Sequence, residues 1–370
     1  MSDVPGERTQ PRKSSKLRVV LLCVGWPGRH EVGGAARYAW RFAEMIRDQV
    51  ELHIITSEGG IPLPGATMHV IPNRGGRFAH YYLFPLKVRR LLRKMNFDVL
   101  HAFGDDWAIS HRRFAWVRTF HGSSRSEARA SSGLRRWNHY LLAALEHSVR
   151  RRCDVALAVG PEGETEFRTD ALVPPVLPRS VRFSAPVPSA CPTVVFIGTY
   201  AGRKRGALAA DVVKQVSRNL NRSVSLRVVG PAADADHWPP TVKHYANPTD
   251  AEVRELVGQS WLLLAPSTYE GFGIPAFEAA SLGVPSISSP NPGSEFLARH
   301  IQLDDLFSVV NDHDLVDAVQ RRIARGPLPT SPEVRSAVAA ADALADRAST
   351  DNLLSLYSET LERALGHERP

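Results

Sequence analysis

Two glutamates flank a glycine-rich turn in the stretch STYEGFGIPAFEAASLGVPSISSPN, residues 267–291. Glu270 precedes the turn through Gly271 and Gly273, and Glu278 follows it. A helix that begins after such a turn offers free backbone N–H groups to an anion, and glycines let the backbone approach a ligand closely. Carboxylates accept hydrogen bonds from the paired hydroxyls of sugars and riboses. The stretch fits a ligand pocket, and it fits equally well the alternative that Glu278 only complements the helix dipole and Glu270 is a solvated loop residue.

A cluster of three cations follows another predicted strand, in the segment FIGTYAGRKRG, residues 196–206. Arg203, Lys204 and Arg205 stand directly before a helix expected to begin near Gly206. Cations beside a helix N-terminus form a strong site for phosphate. The alternative is a solvated basic loop, which is what most charge runs are. The position after a strand favours the phosphate site.

Two glycines open a helix after the first predicted strand, in WPGRHEVGGAARYAW, residues 26–40. Gly33 and Gly34 could bring a backbone amide against a ligand phosphate. The pattern is not G-x-G-x-x-G, so the dinucleotide-binding fingerprint is absent. The alternative is a turn that uses glycine only for its conformation.

Two histidines are candidates for a role at a ligand site. His121 follows a strand in RTFHGSSRSE, and His101 lies in DVLHAFGDDW and is its rival. Asp105 and Asp106, in the second segment, either bind a polar substrate or cap the next turn. No metal-ligand spacing and no Ser-His-Asp constellation can be assigned.

The elements that must position these residues alternate between short apolar runs and longer helical patterns, which predicts parallel sheets covered by helices. About six strands are expected in each half, each set the size of one doubly wound, Rossmann-like unit. The predicted strands are 17–25, 51–57, 67–72, 98–104, 116–122 and 154–160, then 193–199, 223–230, 242–246, 261–267, 284–290 and 306–310. Ligands of such sheets bind outside the carboxyl ends of the strands, so two α/β domains facing each other across a cleft would gather every motif above.

The chain divides into five predicted segments. These are a disordered tail at 1–16, an N-terminal domain at 17–180, a Pro-rich linker at 181–192, a C-terminal domain at 193–345 and a C-terminal helical segment at 346–370. The stretch from residue 331 to residue 366 is expected to be helical throughout.

Composition excludes several classes of protein. Hydrophobic residues are 43% and charged residues 23% of the 370 residues, as in globular proteins. Three scattered cysteines argue against a disulfide framework or a structural zinc site. The N-terminus lacks an apolar signal segment, so a soluble, cytoplasmic protein is expected. The net charge of +8 suits an anionic partner, but no nucleic-acid module is present, and the basic segment 81–95 fits a solvated helix better than a membrane contact.

The segment PSTYEGFGIPAFEAASLGVP, residues 266–285, resembles the signature of retaining, nucleotide-sugar-dependent glycosyltransferases of the family-4 type. The resemblance extends over about residues 17–365 and implies the GT-B fold, with a final helix that crosses back to the first domain. It implies transfer of a hexose-type sugar from a UDP-, GDP- or TDP-sugar to an acceptor hydroxyl with retention of configuration and without a metal cofactor. It leaves the acceptor open among small natural products, polysaccharides and lipids.

The resemblance also implies roles for individual residues. Glu278 would bind the ribose, and Glu270 and His121 would lie beside the donor sugar. Arg203, Lys204 and Arg205 would stabilise the leaving diphosphate. The remaining residues expected to bind the donor are Gly33, Gly34, Gly198, Thr199, Gly271, Phe272, Gly273 and Ile274. Glu295 matches a further glutamate of the family, without an assigned role.

The sequence departs from the family pattern at the basic loop. Thr199 stands where the family commonly has Arg, and Arg205 stands where it has Lys. The neighbouring Arg203 and Lys204 could supply the charge. Two other activities fit the same fold: a sugar-nucleotide epimerase, and a non-catalytic partner subunit that binds a nucleotide sugar.

Overall fold

Two parallel β-sheets form the framework of the protein. The computed structural model describes residues 16–27, 34–57, 60–73, 76–110, 114–129, 131–177 and 187–366. Both sheets are covered by helices, which confirms the predicted fold class of two Rossmann-like α/β domains.

The N-terminal sheet has seven parallel strands in the order β3-β2-β1-β4-β5-β6-β7. They are β1 (Arg18–Leu22), β2 (Glu51–Thr56), β3 (Ala66–Val70), β4 (Val99–Ala102), β5 (Ala115–Phe120), β6 (Val155–Ala158) and β7 (Ala171–Leu172). The first six were predicted. The two-residue β7, which pairs with the edge of β6, was not, because so short a run carries no periodicity.

Five helices and one irregular helical segment accompany this sheet. The helices are α1 (Gly34–Ile46), α2 (Phe84–Leu92), α3 (Ser124–Arg129), α4 (Gly133–Arg150) and α5 (Pro161–Phe167). A short turn, Gly76–Phe78, and a π-helical segment, Ala79–Leu83, lead into α2. In α2 the apolar side chains of Phe84, Val88 and Leu92 are buried, and the basic side chains lie on the opposite face.

The C-terminal sheet has six parallel strands in the order β10-β9-β8-β11-β12-β13. They are β8 (Thr193–Ile197), β9 (Ser225–Gly230), β10 (Lys243–Ala246), β11 (Leu262–Ala265), β12 (Ser286–Ser288) and β13 (Phe307–Val309). The helices between and after them are α6 (Gly206–Asn219), α7 (Asp250–Gly258), α8 (Ile274–Ser281), α9 (Pro292–Ile301) and α10 (Leu315–Ala324). All six strands match predicted segments.

Continuous apolar runs become the central strands because both of their faces are covered. Four residues of β1, from Val19 to Leu22, are fully buried, and all six residues of β5 are buried. The strand order reverses between β1 and β4 in one sheet and between β8 and β11 in the other. Loops at the carboxyl ends of these strand pairs diverge and leave a crevice, which is where open α/β sheets bind ligands.

The stretch from residue 331 to residue 366 is interrupted, so the expectation that it is helical throughout was wrong. Helix α11 spans Pro332–Asp346 and α12 spans Thr350–Gly366. Ser349 ends the continuity because its Oγ accepts a hydrogen bond from the N–H of Asn352 at 3.3 Å, as a helix N-cap does. Helix α12 packs against β5 of the N-terminal sheet.

A buried hydrogen bond fixes α12 on this sheet. The hydroxyl of Tyr357 and Nδ1 of His101 are 2.7 Å apart, and both residues are fully buried. Within the described part of the chain, no helix is long and apolar enough to cross a membrane.

Candidate functional site

A cleft of about 410 Å³ lies between the two domains and is lined by residues of both. The N-terminal domain contributes Gly34, Arg37, Tyr38, Arg41 and His121, and the C-terminal domain contributes Gly198, Arg203, Lys204, Glu270, Gly271, Phe272, Gly273, Ile274 and Glu278. The structure therefore brings together most of the residues that the sequence singled out. Gly33 lies outside the described residues.

An ion-pair cluster links the two loops of the C-terminal switch point. Nζ of Lys204 lies 2.6 Å from Oε1 of Glu270, and Nη1 of Arg203 lies 3.2 Å from Oε2 of the same carboxylate. Burial alone raises the pKa of Glu270, but Lys204 and then Arg203 outweigh it and hold that pKa below its usual range. The carboxylate is ionised at neutral pH, and it holds two cations at the edge of the cleft.

The stem of Lys204 crosses Gly198 at close range. A Cβ atom at position 198 would lie 2.9 Å from Cβ and Cγ of Lys204, and Gly198 has a φ of +158°. Only glycine permits this crossing, which directs the ammonium group toward Glu270. The glycine at the end of β8 therefore positions a cation.

Arg205 does not line the cleft, so the three cations predicted as one cluster have different surroundings. Its guanidinium donates to the carbonyl of Pro266, to Oγ of Ser289 at 2.9 Å and to Oδ1 of Asp312 at 2.8 Å. The physical reason is the left-handed backbone of Arg205, with φ +55°, at the N-cap of α6. The arginine is a brace between loops of the C-terminal domain.

Thr199 also lies outside the cleft lining. Its side chain is exposed at the loop surface and its Oγ1 donates to the carbonyl of Ala201 at 2.8 Å. The hydroxyl stabilises the basic loop locally. The donor-binding role of Thr199 stays a prediction.

The glycine-rich turn is fixed from two sides by backbone hydrogen bonds. The N–H of Thr268 donates to the carbonyl of Arg203 at 2.9 Å, and the N–H of Gly293 donates to the carbonyl of Glu270 at 2.9 Å. Gly273, with φ +89°, is the N-cap of α8, and Pro275 follows in its first turn. The first N–H groups of α8 have no partner within the helix, so the turn presents donors at the cleft wall.

Glu278 takes part in an ion pair that joins the two domains. Nη1 of Arg41, on α1, lies 2.5 Å from Oε1 of Glu278, and Nη2 of Arg41 lies 2.9 Å from Oδ2 of Asp250. Burial lowers the pKa of Arg41, but the two carboxylates outweigh this effect and raise it. Arg41 was not among the predicted site residues. The sequence signal for it is an arginine inside the apolar face of a helix, between Tyr38 and Phe42.

His121 contributes an uncharged imidazole to the cleft. Its ring packs edge-to-face on Tyr38, with centroids 4.7 Å apart, and its covered Nε2 atom has no hydrogen-bond partner among the described residues. Burial, with a smaller contribution from the Arg118 charge, lowers the pKa of His121 to about 3. The group is neutral at physiological pH and can exchange a hydrogen bond with a ligand.

His101, the rival candidate, is a structural residue. Its Nε2 lies 2.7 Å from Oγ1 of Thr119, and its Nδ1 is bonded to Tyr357. Both ring nitrogens are occupied and the residue is fully buried. Glu295 is exposed on α9 and does not line the cleft.

The domains also meet through two glycines. A Cβ atom at Gly160, the N-cap of α5, would lie 2.0 Å from the carbonyl oxygen of Gly271 in the glycine-rich turn. The φ and ψ of Gly160 are −144° and 174°, which any residue can adopt. The approach of the other domain, not the backbone conformation, excludes a side chain at position 160.

A second cavity, of about 370 Å³, adjoins the cleft at His121. Asp105 and Asp106 lie in its wall, together with Arg118 of β5 and Glu146 of α4. Nη1 of Arg118 donates to Oδ1 of Asp106 at 3.0 Å. The two aspartates thus belong to a cavity instead of capping a turn. Arg118 and Glu146 were missed, because their sequence surroundings are an ordinary strand and an ordinary helix.

Among the described residues, no three His, Cys, Asp or Glu side chains are grouped closely enough to hold a metal ion. The charges of the cleft come from the cations Arg37, Arg41, Arg203 and Lys204 and from the carboxylates Glu270 and Glu278. The arrangement offers four cations, neutral donors and two carboxylates, which together match a polyhydroxylated anion.

Comparisons with known proteins identify the two halves of the chain. Residues 32–182 match the model of Glycosyltransferase Family 4, and residues 179–333 match the model of Glycosyl transferases group 1. Among curated proteins, none matches the sequence significantly.

Solved structures of glycosyltransferases share the whole architecture. WaaG, involved in lipopolysaccharide biosynthesis, aligns with a TM-score of 0.66 and 18% identity over 93% of this chain and 98% of its own. Anabaena Alr3699/HepE in complex with UDP-glucose aligns with a TM-score of 0.69 and 15% identity, over 94% and 100%. AviGT4, involved in avilamycin A biosynthesis, aligns with a TM-score of 0.61 and 17% identity, over 93% and 98%. The chain therefore combines a family 4 domain with a group 1 domain in the GT-B fold, and it belongs to the glycosyltransferases.

Proposed function

We propose that the protein transfers a hexose-type sugar from a nucleoside diphosphate sugar to an acceptor hydroxyl, with retention of anomeric configuration. The observation that carries this proposal is the cleft in which Lys204 and Arg203 of one loop face Glu270 and the glycine-rich turn of the other. Similarity to a structure with bound UDP-glucose supports UDP-glucose as the first donor to test.

The donor would lie along the C-terminal wall of the cleft. Glu278 would accept hydrogen bonds from the ribose, and the amides of Gly273 and Ile274 would bind the diphosphate and the sugar. Lys204 and Arg203 would turn from Glu270 toward the diphosphate, which leaves the carboxylate free for the sugar hydroxyls. The neutral imidazole of His121 would bind the sugar from the N-terminal domain.

The chemical step then breaks the bond between the anomeric carbon and the phosphate oxygen and forms a bond from that carbon to the acceptor oxygen. The proton of the acceptor hydroxyl passes to the departing phosphate on the same face. Negative charge on the phosphate develops as the bond breaks, and Lys204 with Arg203 would stabilise it. We therefore propose that no metal cofactor is needed and that transfer persists after treatment with EDTA.

The test is a thermal-shift panel of UDP-, GDP- and TDP-sugars, followed by product analysis. The true donor should raise Tm with increasing concentration, because it binds only the folded state. Incubation of that donor without an acceptor separates the alternatives: an epimerised nucleotide sugar contradicts transfer. Failure of every nucleotide sugar to shift Tm contradicts the proposed site.

A further inference from the structure

The second cavity opens beside the reacting end of the cleft. His121 lines both spaces, and Tyr269, next to Glu270, closes the second cavity on the side of the C-terminal domain. The π-helical segment contributes His80 and Tyr81 to its wall. A molecule in this cavity would reach the donor sugar past His121, as an acceptor must.

The charge of this cavity is opposite to that of the whole chain. Its wall carries four carboxylates, from Asp105, Asp106, Glu127 and Glu146, and one guanidinium, from Arg118. The complete sequence has a net charge of +8. Asp106 forms an ion pair with Arg118. Glu127 is half-exposed, and its Oε2 lies 3.6 Å from Nη2 of Arg135, which is equally exposed.

Several polar groups of the cavity have unused hydrogen-bonding capacity. Arg118 is 6% exposed, and its Nε has no partner among the residues that the structure describes. The covered Nε2 of His121 is also unpartnered in that set. These two covered atoms indicate a missing polar ligand, because buried polar atoms are normally satisfied. Asp105 lies in the same wall, and burial raises its pKa to about 7 against the smaller opposing effect of the Arg118 charge.

We propose that this cavity binds the acceptor, and that the acceptor is a polyol carrying a primary or secondary ammonium group held by Asp105 and Glu146. Arg118 Nε and His121 Nε2 would bond its hydroxyls. The inference rests on the proposed transferase function and narrows it: a phosphorylated acceptor, which the net charge of the chain would favour, is excluded by the carboxylates of the wall.

The experiment compares three sugars that differ only at position 6: methyl 6-amino-6-deoxy-α-D-glucoside, methyl α-D-glucoside and methyl α-D-glucoside 6-phosphate. Binding to the full chain is measured by isothermal titration at pH 8, where Asp105 is ionised and the amine is protonated. We expect the amino sugar to bind about tenfold more tightly than the neutral sugar, a typical effect of one charge-assisted hydrogen bond. The phosphate should bind most weakly.

Two carboxylate variants locate the effect. Asp105→Asn should abolish the preference for the amino sugar, and the left-handed φ of +57° at this position suits Asn as well as Asp. Asp211→Asn, on the exposed face of α6, is the matched control and should keep the preference. Equal binding of the three sugars, tighter binding of the phosphate, or an unchanged preference in Asp105→Asn overturns the inference.

Donor binding, measured in the same preparations, separates this inference from the proposed function. A Tm shift with a nucleotide sugar together with no preference among the three acceptor probes refutes only the ammonium site. Absence of both effects refutes the transferase proposal, and the inference falls with it.

Discussion

Lys204 and Arg205 are neighbours in the sequence with opposite surroundings in the structure. Lys204 reaches the cleft and pairs with Glu270, whereas Arg205 pairs with Asp312 behind the loop. The predicted position of a basic cluster after β8 was right. The sequence could not separate its members, because the left-handed turn at Arg205 decides which side chain faces the cleft.

Replacing Lys204 and Arg205 singly should have different effects. Lys204→Ala removes a cation that would stabilise the leaving phosphate, so transfer should fall by about 10²-fold. Arg205→Ala should lower Tm while leaving kcat close to that of the wild type. Steady-state kinetics with the identified donor, together with thermal unfolding, measure both. A larger loss of kcat in Arg205→Ala than in Lys204→Ala contradicts the assignment of the phosphate-binding cation.

The free energy of unfolding of the protein should depend on pH through Asp105. Arg118, Asp106 and Glu146 surround it, and burial raises its pKa to about 7. Between about pH 4 and pH 7 the folded state keeps a proton that the unfolded state has lost, so stability falls through this range and stays at its lower level above pH 7. Asp105→Asn should raise the free energy of unfolding at pH 8 and change it little at pH 4. Urea unfolding at both values checks this, and an equal change at both excludes the titration of Asp105 as the cause.

At the scale of elements, a feature could be predicted when its sequence signal lies within the element itself, and not when it depends on contacts between distant elements. Twelve strands could be predicted from short runs rich in apolar residues, which strands such as β1 and β5 need because both of their faces are covered. The edge strands β3 and β10 are partly exposed. The break before α12 has a local signal, since Ser349 and Thr350 are residues that favour helix N-caps, but it was not predicted. The ion pair of Arg41 with Glu278 could not be predicted, since it joins α1 to α8 across two domains and depends on how those domains meet.

The contact of α12 with the N-terminal sheet gives a prediction for Tyr357. Tyr357→Phe removes the hydroxyl that bonds Nδ1 of His101 and leaves a buried polar atom unsatisfied, which should cost about 1–3 kcal/mol of stability. Ser358→Ala, on the exposed side of the same helix, is the control and should change stability by less than about 0.5 kcal/mol. Chemical denaturation measures both, and equal stability of the two variants would show that the bond contributes nothing.

At the scale of the whole molecule, the close approach of Gly160 to Gly271 limits how the domains meet. Gly160→Ala places a methyl group where only 2.0 Å is free, and the backbone of α5 can accept alanine without strain. We expect a folded protein whose domains stay apart, with strongly reduced transfer, because closure excludes water and completes the site.

Small-angle scattering with and without the donor measures the separation of the domains in Gly160→Ala. Gly258→Ala is the matched control: it lies in α7, a Cβ there meets nothing within 4 Å, and alanine should stabilise that helix slightly. Unchanged transfer and an unchanged radius of gyration in Gly160→Ala would contradict this account of closure.

The contact of α12 with the N-terminal sheet has a consequence for cotranslational folding. The N-terminal sheet is synthesised first, yet Tyr357, which occupies Nδ1 of His101 beneath that sheet, is synthesised after the entire C-terminal sheet. Domains generally fold as they emerge, N-terminal first. The nascent N-terminal domain therefore keeps this buried imidazole without its partner until Tyr357 has been synthesised and α12 packs against the sheet.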